Sequence, residues 1–247
     1  MQKRPFAMSI AGYDPSGGAG LLADIKTMEQ LETTGLGICT SITLQTESQC
    51  LSLEWRPLNE IVRAIDVSMK NYNVRAVKIG VIRDVFMLTE ILKIIKTNNP
   101  EAKIVWDPVL KSTSEFTFFD TETIPLLKNI LDEVSLITPN YNEYKILTDN
   151  YPFLEMADSC AVLVKGGHRE KQIGTDILIE NGNKILLQPN EEDSVYYPKH
   201  GSGCVLSSAI VSWLARGETM ETACRQGKLY IEKFLKSNPS LLGYHSN

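Results

Sequence analysis

Two glycine-rich segments stand near opposite ends of the chain: Ala11-Gly12-Tyr13-Asp14-Pro15-Ser16-Gly17-Gly18-Ala19-Gly20 and His200-Gly201-Ser202-Gly203-Cys204. Each runs into a helical pattern, and glycine lets backbone N–H groups approach a ligand with no Cβ in the way. A helix start adds unpaired N–H groups and a positive dipole end. Together they outline an anion site with a thiol in it, and phosphate chemistry is the first reaction class to expect. After Gly203, Leu206, Ala209, Ile210, Trp213 and Leu214 make a buried helix stripe, which puts Cys204 in the first turn. A thiolate is expected to be stabilised there, and backbone donors from Gly201, Ser202, Gly203 and Cys204 suit the charge on a transferred phosphoryl group. A thiol that only fills core space is the alternative. Gly17-Gly18-Ala19-Gly20 is neither a loop ending in Gly-Lys-Ser/Thr nor a dinucleotide fingerprint. Asp14 and Asp24 flank it, either as ligand contacts or as solvated or helix-start carboxylates.

These segments need elements to hold them. A buried strand over 6–11 feeds the first loop, and Leu21, Leu22, Ile25, Met28 and Leu31 recur at helical spacing. A second strand is expected over 37–45, then helix 58–72, strand 76–79, helix 85–97, strand 103–107, helix 121–131, strand 135–138, a short helix from Asn142 and strand 161–165. Such alternation indicates a mostly parallel sheet with helices on both faces, binding ligands beyond the carboxyl ends of its strands. Asn181-Gly182 between two apolar runs predicts an antiparallel edge hairpin over 177–187. Polar residues fall at the predicted strand ends: Gln45, Lys78, Asp107, Asn140 with Glu143, and Lys165 before Gly166-Gly167-His168. Each has a plain reading as a solvated end, a helix start or a turn, but in this topology all point toward one crevice. His200 and His245 are expected at the surface or in loops.

With 247 residues and 43% hydrophobic content, the chain is expected to form one domain over 1–247. A net charge of −5 argues against nucleic-acid or membrane partners. The five cysteines are scattered, with no metal-ligand spacing, which suggests reduced thiols and a cytoplasmic location. No segment has the length of a membrane span or the form of a signal sequence.

In order and spacing, Ser9 to Gly20, Ala23-Asp24-Ile25-Lys26-Thr27, Lys78-Ile79-Gly80, Asp107-Pro108-Val109, Leu136-Ile137-Thr138-Pro139-Asn140 with Glu143, Val164 to His168 and His200 to Cys204 resemble one family. It is that of the hydroxymethylpyrimidine and phosphomethylpyrimidine kinases of thiamine biosynthesis, within the ribokinase-like superfamily. The resemblance implies a three-layer α/β/α fold with a mostly parallel sheet. It also implies ATP and Mg²⁺ as cofactors and two successive phosphorylations, of 4-amino-5-hydroxymethyl-2-methylpyrimidine and of its monophosphate. By the same resemblance Gln45, Gly12, Asp24, Val81 and Val109 would bind the pyrimidine. Gly201, Ser202, Gly203, Cys204 and Lys165 would serve catalysis, Asn140, Lys165 and Gly167 the nucleotide, and Glu143 and Asp107 the metal. A homodimer is a further family property. The chain departs from the family pattern at Tyr13, where a small residue is usual, at Ser202, where threonine is usual, and in a shorter stretch over 144–160. It also ends soon after Leu242, which is expected to trim contacts near the adenine. The alternatives are a pyridoxal kinase of the same superfamily and a non-catalytic pyrimidine-binding protein.

Overall fold

The computed structural model describes residues 4–112, 116–151, 160–168, 174–190 and 195–246. Its strands are β1 (Phe6–Tyr13), β2 (Thr34–Gln45), β3 (Cys50–Trp55), β4 (Val74–Ile79), β5 (Lys103–Trp106), β6 (Leu136–Ile137), β7 (Ala161–Val164), β8 (Asp176–Glu180) and β9 (Asn183–Leu187). Its α-helices are α1 (Gly20–Gln30), α2 (Leu58–Asn71), α3 (Val85–Asn98), α4 (Tyr141–Asn150), α5 (Ser202–Ala215) and α6 (Met220–Lys236). Among the described residues, nine strands join one sheet in the order β3-β2-β1-β4-β5-β6-β7-β8-β9. The six from β2 to β7 pair in parallel, and β3, β8 and β9 are antiparallel at the two edges. The chain leaves β1 for β2 on one side and returns to β4 on the other. That reversal opens a crevice at the carboxyl ends of the strands.

The parallel strands are buried on both faces, so their sequences are apolar runs rather than alternations. On one face Met8, Ile10, Val77, Ile79, Ile104 and Trp106 pack against Ile61 and Ile65 of α2 and Leu88, Ile91 and Ile95 of α3. On the other, Ala7, Ala76, Val105 and Leu136 meet Ala23 and Met28 of α1, Val205 to Ala215 of α5 and Phe234 of α6. The small side chains on this second face let α1 and α5 lie close to the sheet.

Several elements differ from expectation. The strand expected over 37–45 starts at Thr34 and turns back through Thr46–Gln49 into β3, an edge strand whose mixed Ser, Glu and Leu side chains hide its period. The helix expected over 121–131 is a 3-10 helix over Thr121–Asn129, and Pro125 inside it has no N–H for an α-helical ladder. α6, capped by Thr219, is a further helix, and it packs against α5. The expected edge hairpin is present, with Asn181 and Gly182 both at positive φ (50° and 74°), as a two-residue turn requires. In the short stretch over 144–160, α4 fills the first part, and 152–159 lie outside the described residues. No helix among the described residues is long and apolar enough to cross a membrane.

One polar cluster interrupts the α1/α5 face. Lys78 of β4 and Asp24 of α1 form a fully buried ion pair. Asp24 also accepts hydrogen bonds from Ser9 Oγ of β1 (2.5 Å) and Ser208 Oγ of α5 (2.7 Å). Burial presses the Lys78 ammonium toward neutrality, but the nearby charges of Asp24 and Asp107 outweigh it and its pKa is raised. The pair thus ties four elements together just below the crevice. Lys78→Met should cost about 3–5 kcal/mol of stability, because it strands a buried carboxylate. The double variant Lys78→Met/Asp24→Asn should recover most of that loss in urea titrations, and an undiminished loss in the double would contradict the assignment.

Candidate active site

The N-terminus of α5 is set by backbone conformation. Gly201 lies at φ 72°, and a Cβ there would come within 2.1 Å of the Gly18 carbonyl oxygen. The second glycine segment therefore packs directly on the first. Asp14, buried between them, accepts hydrogen bonds from Ser16 N (2.8 Å), Ser16 Oγ (2.8 Å) and Ala19 N (2.9 Å), and His200 Nε2 lies 2.8 Å from its Oδ2. Burial alone would raise the Asp14 pKa; the bonds from His200 and Ser16 outweigh it and hold the carboxyl below its usual range. His200 lies in a loop, as expected, and there it links the two glycine segments. His245 is also in a loop, half-buried: it packs 4.9 Å from the Phe234 ring, near Thr27 and Tyr230, and burial pushes it down to about 4.

Across the crevice, Asp107 follows β5 and is buried. It accepts from Lys165 Nζ (2.8 Å), Thr138 Oγ1 (3.1 Å) and Ser207 Oγ (3.0 Å). Burial opposes its charge, but Lys165 and Lys78 prevail and its pKa is lowered. For Lys165 the balance is the mirror image: burial lowers, Asp107 and Glu143 raise, and the net shift is upward. The Lys165 ammonium lies against α5, since a Cβ on Gly203 would be 3.1 Å from its Nζ. Asn140 caps α4, accepting from the backbone N–H groups of Asn142 and Glu143 (2.9 Å each), while its own N–H donates to Glu143 Oε2 (2.8 Å). Burial pushes the Glu143 carboxyl up to about 7, with Lys165 pulling it down and Asp107 adding to the rise.

Cys204 corrects an expectation. The thiolate expected at this helix start is opposed by burial, which pushes the thiol above its ordinary range. Lys78 and a hydrogen bond from the Gly20 backbone pull the other way but do not prevail. All five cysteines are free.

A family model described as phosphomethylpyrimidine kinase matches residues 14–247. The chain belongs to the phosphomethylpyrimidine kinase family. It is similar to a hydroxymethylpyrimidine/phosphomethylpyrimidine kinase of Aquifex aeolicus, with 31% identity over 250 residues covering 95% of this chain and 96% of the relative. The Rhizobium meliloti enzyme of the same description is 29% identical and is covered over 88% of its length. Among solved structures, phosphomethylpyrimidine kinase from Clostridium difficile aligns with a TM-score of 0.75 at 30% identity, covering 92% of this chain and 98% of that one. Pyridoxal kinase from Staphylococcus aureus in complex with ADP aligns at 0.81 but at 21% identity, over 96% of this chain and 89% of that one, and shows the shared ribokinase-like fold.

In this kinase, Gly201 to Cys204, Lys165, Asp107, Asn140 and Glu143 come together at the carboxyl end of the sheet. Gly12 and Val81 meet on the adjoining wall: a Cβ on Gly12 would be 3.6 Å from Val81 Cβ. Gln45 is half-buried at the end of β2, and Val109 is half-buried just after Asp107. Gly167 is exposed, with nothing within 4 Å of where its Cβ would be. Asp24 lies apart from these residues: fully buried and engaged by Lys78, Ser9 and Ser208, it supports the site from beneath and presents no surface to a ligand. Ser207 and Thr138 were not foreseen. Ser207 stands three residues after Cys204 on the same helix, and that spacing was the available signal.

Gly201→Ala forces a side chain into both a positive φ and the Gly18 backbone, so phosphoryl transfer should fall about 10²-fold, as for an ångström-scale misplacement of a catalytic group. Far-ultraviolet circular dichroism should show the fold retained. Because burial holds the Cys204 thiol above its ordinary range, its alkylation by iodoacetamide should still be rising at pH 9, followed at its own peptide by mass spectrometry; a rate that levels off below pH 8 would contradict this.

Proposed function

We propose that this phosphotransferase moves the γ-phosphoryl group of ATP to the hydroxymethyl oxygen of 4-amino-5-hydroxymethyl-2-methylpyrimidine. A second ATP then phosphorylates the resulting monophosphate to the diphosphate, within thiamine biosynthesis in the cytoplasm. The observation that carries this reading is the N-terminus of α5, with Gly203 against the Lys165 ammonium and Asp107 beside it. Phosphoryl transfer asks mainly for positioning and for fixed positive potential around the transferring group. Unpaired N–H groups from 201–204 and the Lys165 ammonium supply both.

Gln45 would bond the amino edge of the pyrimidine, since an amide both donates and accepts. Gly12, Val81 and Val109 would bound the ring. Each transfer forms a P–O bond to a substrate oxygen and breaks the bond to ADP; the first also releases the hydroxymethyl proton, whereas the phosphate oxygen that attacks in the second is already ionised. In a largely dissociative transition state that proton leaves late, so no strong base is required. Cys204, held as a thiol, serves better as a hydrogen-bond donor beside the phosphoryl oxygens than as a base.

Among the described residues no three His, Cys, Asp or Glu side chains gather into a metal cage. Two carboxylates beside a phosphate site are nevertheless the donor set that suits Mg²⁺ arriving with a nucleotide. Glu143 and Asp107 would hold it, and it would neutralise charge on the β- and γ-phosphates.

The test is Mg-ATP consumption with hydroxymethylpyrimidine, its monophosphate, pyridoxal and ribose supplied separately, and products resolved by mass. Turnover of both pyrimidines is expected; turnover of pyridoxal alone would overturn the reading. Cys204→Ala should lower kcat by about 10²-fold with the fold intact, the scale of losing one transition-state donor. Gln45→Ala should act chiefly on KM for the pyrimidine.

A further inference from the structure

α6 supplies none of the residues around the crevice, yet it buries charge. Lys228 and Glu232 of α6 and Asp176, at the start of β8, are each less than a tenth exposed. Lys228 Nζ donates to Asp176 Oδ2 (3.0 Å) and to the Gly174 carbonyl, and lies 3.5 Å from Glu232 Oε1. Glu232 in turn accepts from the Asn190 backbone N–H (3.1 Å). Apolar side chains of similar volume often do as well in such a place or better, so stability alone does not explain the cluster.

Its geometry does. The other Asp176 oxygen, Oδ1, accepts from the Gly166 backbone N–H (2.7 Å). Gly166 directly follows Lys165, whose own N–H donates to the Pro139 carbonyl (2.9 Å) and whose ammonium meets Asp107 (2.8 Å). A Cβ on Gly166 would come within 1.9 Å of the Thr175 carbonyl oxygen, so this turn lies directly on the residue that leads into Asp176. Gly167, next in the turn, faces open space. We propose that Asp176, held by Lys228, is a positioning residue for the nucleotide: through one backbone N–H it fixes the Lys165-Gly166-Gly167 turn before ATP arrives. The inference rests on the kinase reading above, in which Lys165 and Gly167 serve the nucleotide. Asp176 itself touches no substrate. A turn already held in its bound shape spares the ordering cost that binding would otherwise carry.

Two variants separate position from charge. Asp176→Glu keeps a carboxylate for Lys228 but displaces it by one methylene from the Gly166 N–H. The double variant Asp176→Asn/Lys228→Met removes the ion pair and leaves an amide oxygen for that N–H. Asp176→Glu should raise the Kd for Mg-ADP and the KM for Mg-ATP about tenfold, with the pyrimidine KM unchanged. The double variant should bind Mg-ADP within about threefold of the unaltered protein, since the bond to Gly166 is kept. Unchanged nucleotide affinity in Asp176→Glu, an equal rise in both KM values, or a tenfold loss in the double variant overturns the proposal and leaves the cluster structural. In the unaltered, nucleotide-free protein the Gly166 amide should be protected from hydrogen exchange; free exchange there overturns the proposal whether or not either variant folds. If the unaltered protein binds no Mg-ATP, the kinase reading itself fails and this inference falls with it.

Discussion

A fully buried lysine and a half-buried one on one face of a sheet must each be neutralised, and the way this chain does it governs the placement of everything near the crevice. Lys78 meets Asp24 and Lys165 meets Asp107, and both carboxylates also bind serines of α5, Ser208 and Ser207. In a low-dielectric interior, moving any member leaves an unpaired charge, so these pairs act as rigid struts more than as sources of net stability. They fix the height and rotation of α5 over β1, β4 and β5. The helix start that would bind phosphate is positioned by its underside.

The upper side is positioned by close backbone contact. Gly201 sits on Gly18, Gly20 on Gly12, and Asp14 with His200 bridges the two loops. The result is a site in which donors from distant parts of the chain converge without a flexible side chain between them. Such preorganisation matters most for phosphoryl transfer, where charge stabilisation exceeds covalent chemistry in importance. It also explains why a thiol can occupy the first turn of α5 while remaining protonated. The anionic neighbours Asp24 and Asp107, together with burial, offset the helix start and Lys78.

Much of this was legible in residue order. Apolar runs alternating with helical periodicity revealed the parallel core, and Asn181-Gly182 revealed the edge hairpin. Polar residues at strand ends marked Asp107, Asn140, Glu143 and Lys165 as convergent, since a parallel sheet brings its carboxyl ends to one side. β3 was not legible, because an edge strand with one solvated face and a bulge near Gln45 carries little period. At Pro125 the helical periodicity of the flanking residues and the missing N–H point in opposite directions, and only the packed structure resolves them into a 3-10 helix.

The sequence by itself determined the types of chemistry available: anion-binding backbone, two lysines, two carboxylates, an amide and a thiol at spacings that a parallel sheet collects. Only the tertiary structure decided the state and direction of each group. Asp24 and Asp107 are both acids near glycine motifs, yet one is sealed between α1, α5 and the sheet and the other borders the site. His200, in a loop, links both glycine segments, and Ser41 faces Gly12 because of a one-residue slip between β1 and β2. Burial, partner geometry and register arise from contacts between residues far apart in the chain, and local sequence carries no term for them.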